Sequence, residues 1–369
     1  GLNHNLYVKA NQFYDMQNMT STYYPTLSPR KRRGIISRHS NIQGLLAKEK
    51  LCYINDNEFF YDYISYGKLS TEYDERQLVS MGAYIVVFPD NLLFNTANVD
   101  EGLVPLGCKN TTTGEIAVSL CNLECVDYTY TSSNIEPTEK TDGMYWLDTS
   151  TVPNTLKKYS LSTTTWIPQT TTYLKISSPG IGVGLSKYEG VKVSGFTDTT
   201  LNADYILYGV SNDYIVVTGL VNQSITQDTA ITVERRIPEM DFIVENDNRL
   251  WGCSSKNHEI YACALGNPKN WYCYMGTSQD SYAATVGSDG PFTGAITYLG
   301  YVLFFKEDLI HKVYGNAPSN FQIQNVRCRG VENGANKSLC IVNERLYYKS
   351  KDCVCAFEGS LPTGVSDDL

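Results

Sequence analysis

Five times along this chain a polar turn is set between two aromatic-rich runs, and that pattern only β-hairpins can use. The five occurrences run over residues 50–61, 83–94, 249–263, 301–314 and 345–357. In each, apolar and aromatic residues such as Leu51-Cys52-Tyr53 or Val302-Leu303-Phe304-Phe305 lead into Asn, Asp, Lys or Ser, and a second apolar run returns. Two strands joined by a short polar reversal have this form. Helical periodicity is nearly absent, because apolar residues spaced i, i+3, i+4 and i+7 are everywhere broken by Gly, Pro or Asn-Asp. The 28 tyrosines, with Thr, Val and Ile, fall in runs of strand length. From Leu250 to Leu303 to Leu346 the pattern advances by 53 and then 43 residues. Such steps predict the four-stranded blades of a β-propeller. A β-sandwich would give two facing sheets without a repeat, so the repeat favours blades.

The repeat sets an expected organisation. Residues 1–49 read as an extended arm with the first strands, and 50–166 as blades with a Thr-, Asn- and Glu-rich loop excursion near 108–142. Residues 144–166 form a hairpin closing at Trp166. Five short strands between Thr170 and Arg236 predict a small inserted β-barrel or sandwich over 167–236, and 237–369 returns to blades. The glycines of Gly180-Ile-Gly-Val-Gly184 lie between two strands with no helix to hold a phosphate, and read as a turn.

Charge is unevenly placed. The chain of 369 residues carries a net −9, yet residues 1–50 carry +6 and the remainder −15. A basic arm ahead of an acidic body suits an acidic neighbouring subunit better than nucleic acid, since the cluster Arg30-Lys31-Arg32-Arg33 is short for a phosphate track. Pro25 and Pro29 prevent the arm from continuing a central strand, and Tyr23, Tyr24 and the arginines are residue types enriched at interfaces. An arm that wraps its own first blade is the equal alternative. No run approaches the roughly 18 apolar residues of a membrane span, so a soluble chain is expected. Gly1 in place of Met and a close at Leu369 soon after a strand-like run read as processing boundaries. Eleven cysteines, an odd number mostly inside apolar runs, read as reduced packed thiols in a reducing compartment.

Motifs for catalysis are scarce. His4, His39, His258 and His311 are scattered singly, with no His-x-x-x-His pair, Gly-x-Ser-x-Gly elbow or Walker loop, so no catalytic residue, cofactor or metal is assigned. Cys353-Val-Cys355 would share a strand face, but no second Cys or His pair lies close by for zinc, and Cys121 and Cys125 read as residents of a polar loop. Asp56, Asp90, Glu307 and Asp352 sit at hairpin turns, where solvated side chains are expected. A glycosidase needs two opposed acids, and the Ser-x-Asp-x-Gly-x-Thr-Trp turn of sialidases is missing.

Specific strings carry a resemblance. Gly1-Leu-Asn-His-Asn5, Phe13-Tyr-Asp-Met-Gln-Asn-Met19, Leu78-Val-Ser-Met-Gly-Ala-Tyr84, Asn248-Arg-Leu-Trp-Gly-Cys253, Ala264-Leu-Gly-Asn-Pro-Lys-Asn-Trp271 and Leu346 to Ser360 are similar to uncharacterised virion proteins of phages and prophages from gut Firmicutes. The resemblance spans the chain except the region around 108–142. It implies a tail or tail-junction component, broadly similar to the propeller-type tail-hub proteins of short-tailed phages, which assemble as symmetric rings. The implied partners are copies of the chain and other tail or portal proteins, and the implied location is the virion, assembled in the bacterial cytoplasm. No catalytic residue is carried over. A receptor-binding adhesin is the alternative, reading host-surface glycan on aromatic platforms at Trp251, Trp271 or Tyr282; a propeller glycosidase ranks below it.

Overall fold

The computed structural model describes Tyr7 and residues 13–366, apart from Met16, Ser21, Tyr24, Arg33 and Ile36. The protein is all-β: among the described residues the only helical pieces are three single 3-10 turns. Two compact units divide the chain. The first holds residues 1–104, 239–260 and 284–369, and the second holds 105–238 and 261–283.

Five antiparallel sheets of four strands carry the first unit, each in simple up-and-down order. Sheet A comprises Ile42–Lys48, Lys50–Asn55, Glu58–Tyr61 and Ile64–Lys68. Sheet B comprises Gln77–Met81, Tyr84–Phe88, Leu92–Asn95 and Leu103–Pro105. Sheet C comprises Phe242–Asn246, Arg249–Ser254, Glu259–Ala262 and Tyr282–Thr285, its chain path passing through the second unit between the last two. Sheet D comprises Gly294–Tyr298, Tyr301–Phe305, Leu309–Tyr314 and Gln322–Arg327. Sheet E comprises Cys340–Val342, Arg345–Lys349, Val354–Phe357 and Thr363–Gly364. All five hairpins expected from the sequence are the second and third strands of these sheets. The first strands of A and B, of B and C, and of C and D are neighbours.

Turn chemistry explains the local fold. At Asp56-Asn57, Asp247-Asn248 and Asn343-Glu344 both central residues take positive φ, as the two-residue hairpin turn matched to strand twist demands. Asp and Asn reach that region at low cost because their short side chains bond nearby backbone. The second strands are then buried on both faces: Arg249–Ser254 is buried throughout, and so are four of the five residues of Tyr84–Phe88. Cys52, Ile54, Phe59 and Tyr61 of sheet A meet Ile85, Val87 and Phe94 of sheet B in one core. Leu303, Phe305 and Ile310 of sheet D meet Leu346, Tyr348, Cys355 and Phe357 of sheet E in another. Each such side chain contributes about 1.5–3 kcal/mol of transfer free energy.

Polar side chains then tie one sheet's turn to its neighbour. The Arg76 guanidinium donates from Nε to Asp90 Oδ2 at 2.7 Å, and from Nη1 to Asn57 Oδ1 at 3.0 Å and Tyr73 O at 2.7 Å. Both members of the Arg76–Asp90 pair are buried, with side chains 0% and 3% exposed. Asp90 is therefore not the solvated turn residue that its position suggested: its neighbour across the turn is a guanidinium that sequence spacing does not reveal.

The second unit is built differently. One sheet of four strands runs in the order Cys108–Thr111, Thr232–Arg235, Gly190–Ser194, Asp204–Ile206. A sheet of five runs Gly209–Ser211, Tyr214–Thr218, Tyr173–Ser177, Ile116–Cys121, Ile225–Gln227. Ile116, Val118, Leu174, Ile176, Val193, Ile215 and Val233 share their core. A third sheet joins Tyr130–Ser133, in parallel, to the expected hairpin at Tyr145–Asp148 and Thr155–Ser160, with Thr165–Pro168 at its edge. Two expectations are thereby corrected. The excursion near 108–142 is not a loop, since Cys108–Thr111 pairs with Thr232–Arg235 and Ile116–Cys121 pairs with Tyr173–Ser177. The separate unit consequently begins at residue 105, not 167, and takes in the 144–166 hairpin.

Candidate functional site

A cleft of the first unit opens where sheets D and E present their turns. Lys306, Glu307 and Asp308, between the second and third strands of D, face Ser350, Lys351 and Asp352, the corresponding turn of E. Asp289 and Arg329 complete a mixed-charge lining around about 630 Å³. The approach is close enough to require glycine at 330, where a Cβ would fall 1.8 Å from Lys306 O. Its amide donates to Glu307 O at 2.9 Å, while Glu307 Oε1 accepts from Asn333 N at 3.2 Å. The cleft thus gathers Glu307 and Asp352, but Glu307 is committed to backbone.

Lys306 is almost fully buried at the floor, 1% exposed. Its ammonium donates to Ser288 O at 2.6 Å and Asp289 O at 3.2 Å, and stands 4.8 Å from the Phe292 ring centroid. Desolvation lowers its pKa against the opposing pull of Asp289 and Asp308. Beside it lies a relay that the sequence hides. His311 Nδ1 lies 2.6 Å from Asn325 Oδ1 and Nε2 lies 2.9 Å from Ser288 Oγ. With Asn325 Oδ1 as acceptor, Nδ1 carries the proton and Nε2 accepts from the Ser288 hydroxyl. Ser, His and Asn in that order are the parts of a nucleophilic hydrolase, but burial drops the His311 pKa to about 4. A general base works best near the operating pH, and the pKa of the fully buried His311 imidazole lies well below it. The signal that could find it, three residues spread over positions 288–325, is carried by strand register and not by spacing.

The expected site residues scatter. Trp251 is 2% exposed and meets Phe321 edge-on at 4.9 Å; Trp271 is 1% exposed and donates from Nε1 to Pro268 O at 2.9 Å. Neither can be a glycan platform, because each indole face is consumed by packing. Tyr282, half-buried at the edge of sheet C, remains of that trio. Asp56 is exposed and accepts from Asn55 Nδ2 at 3.0 Å. Cys121 is buried at a strand end, its thiol pushed up to about 12 by burial, and not in a polar loop; Cys125 sits in the turn beyond. All eleven cysteines are free thiols. Among the described residues no group of three or more His, Cys, Asp or Glu could hold a metal.

The arm has its own geometry. Met19–Thr20 pairs with Ser28–Pro29 in a short hairpin, closed by Arg30 N donating to Asn18 O at 2.7 Å. Tyr23, Arg30, Lys31 and Arg32 are exposed on or beside it; Tyr24 and Arg33 lie outside the described residues. No described residue between 13 and 41 is buried. No helix among the described residues is long and apolar enough to cross a membrane.

No protein-family model matches this sequence, and comparison with curated proteins finds no match.

Proposed function

We propose that this protein is a non-catalytic structural component of a phage tail or head-tail junction, in which the first unit is a propeller of five blades and the arm docks on a neighbouring copy. The observation that carries the docking is the arm's surface. Tyr23, Leu27 and Ile35 are 59, 45 and 70% exposed, beside the exposed cations Arg30, Lys31 and Arg32, in a segment where no described residue is buried. Apolar surface of that kind gains nothing from folding alone and gains most when a partner covers it. An acidic body supplies the complementary charge for that partner to be a second copy. The blade reading is supported by five up-and-down sheets, with first strands adjoining from A to B, B to C and C to D and with shared cores between A and B and between D and E. The tail setting rests on the resemblance of the strings quoted above.

Light scattering after size exclusion tests the reading. The full chain should associate as concentration rises, and association should weaken as salt screens the arm. The variant Tyr23→Ala/Arg30→Ala/Lys31→Ala/Arg32→Ala should stay monomeric. A full chain that remains a monomer at every concentration, and binds no other tail protein, sinks the proposal.

A further inference from the structure

The hairpin of sheet E that borders the cleft carries two thiols the assembly reading does not use. Cys353 lies in the turn just before the return strand, where Ser350 N donates to Cys353 O at 2.9 Å, and Cys355 follows two residues later within the strand. Their sulfurs lie 3.7 Å apart, one thiol donating to the other. Arg329 Nη1 donates to Cys353 Sγ at 3.5 Å, so this guanidinium is aimed at the outer sulfur. Access differs sharply between the two. Cys353 is half-buried beside the cleft-lining Lys351 and Asp352, whereas Cys355 is wholly buried in the core between D and E, next to Tyr348. Burial pushes the Cys355 thiol up to about 11.

We propose that Cys353 and Cys355 form a thiol-exchange site, a vicinal dithiol that takes a low-molecular-weight disulfide such as oxidised glutathione and closes to an intramolecular bond. The Cys353 thiolate, its charge met by Arg329, attacks one sulfur of the incoming disulfide; a Cys353–glutathione bond forms and one glutathione thiolate leaves. Cys355 then loses its proton to water and attacks Cys353 Sγ; the Cys353–Cys355 bond forms and the second glutathione leaves. Two electrons pass from the pair to the glutathione disulfide, and the two protons end on the released thiols. The asymmetry assigns the order: the accessible, guanidinium-paired sulfur attacks, and the buried one resolves. The site is independent of the assembly reading, because neither cysteine belongs to the arm.

The test uses the full folded chain, incubated with oxidised glutathione, alkylated and digested without reduction. Cleavage after Lys351 isolates residues 352–369, which hold only these two cysteines. The expected product is that peptide two hydrogens lighter and unalkylated, while exposed Cys340 keeps a glutathione adduct as an internal reference. In Cys355→Ser the adduct on Cys353 should persist, and Arg329→Gln should slow closure roughly three- to ten-fold through loss of the Nη1–Sγ contact. A wild-type peptide alkylated at both cysteines while Cys340 has reacted, or one holding a stable adduct at Cys353, overturns the proposal.

Discussion

The two units solve one problem in opposite ways. In the first, every strand of a sheet pairs with its sequence neighbour, so each sheet is assembled from hairpins before it meets another. In the second, several neighbours in a sheet are distant in the chain, as where Cys108 pairs with Arg235 and Ile116 with Gln227. Loop closure must be met before those pairings reward it, so the second unit is expected to fold more slowly for equal stability. Yet the two converge on the same device at their polar centres. Arg76 is buried against Asp90 in the first, and in the second Arg235 Nη1 donates to Glu189 Oε2 at 2.7 Å, with side chains 4% and 3% exposed. Arg235 also donates to Leu106 O at 3.0 Å and Gly184 O at 2.9 Å, as Arg76 does to its own carbonyls. A buried guanidinium can cross-link segments from either topology because its several donors point in a fixed fork.

The largest effects should come from breaking those forks. Arg76→Ala leaves the Asp90 carboxylate buried without its cation, and Arg235→Ala does the same to Glu189; each should cost about 3–5 kcal/mol. Calorimetry sharpens the comparison if each variant lowers a different one of two transitions, and breaks it if both lower a single joint transition. Core truncation comes next, at about 2–5 kcal/mol for Leu174→Ala in the second unit and about 3–5 kcal/mol for Phe94→Ala in the first, read from denaturant midpoints. Leu174 is completely buried, and Phe94 meets the rings of Phe59, Tyr61 and Tyr66 within 5.3 Å.

A smaller effect is a pH dependence confined to the first unit. The folded pKa of His311, about 4, lies below the ordinary histidine value of 6.5, so the unfolded chain binds the proton more readily. The stability that neutral His311 contributes is thus complete above about pH 6.5 and lost as pH falls from there towards 4, amounting to at most about 3 kcal/mol by linkage. Urea midpoints at pH 7 and 5 should diverge for the wild type and converge in His311→Gln. Least of all, the arm substitutions should leave both unfolding transitions where they are, since no described residue from 13 to 41 is buried. A loss of stability there would mean that the arm braces its own sheet.

What the sequence by itself determined is everything that neighbours in the chain decide. The polar reversals and the apolar and aromatic runs that flank them fix five hairpins, because turn geometry and strand period act over a few residues. The Tyr173–Ser177 and Tyr214–Thr218 strands were legible on the same grounds, and so was the basic arm. Tertiary structure alone decided which strand the Thr-rich stretch after Cys108 would join, that Trp251 and Trp271 face inward, that Asp90 meets Arg76, and that Ser288, His311 and Asn325 touch. Each of these depends on contacts between segments whose residues carry no mark of their partners; His311 faces Asn325 across paired strands, for instance, and a shift of a single residue in that register would part them.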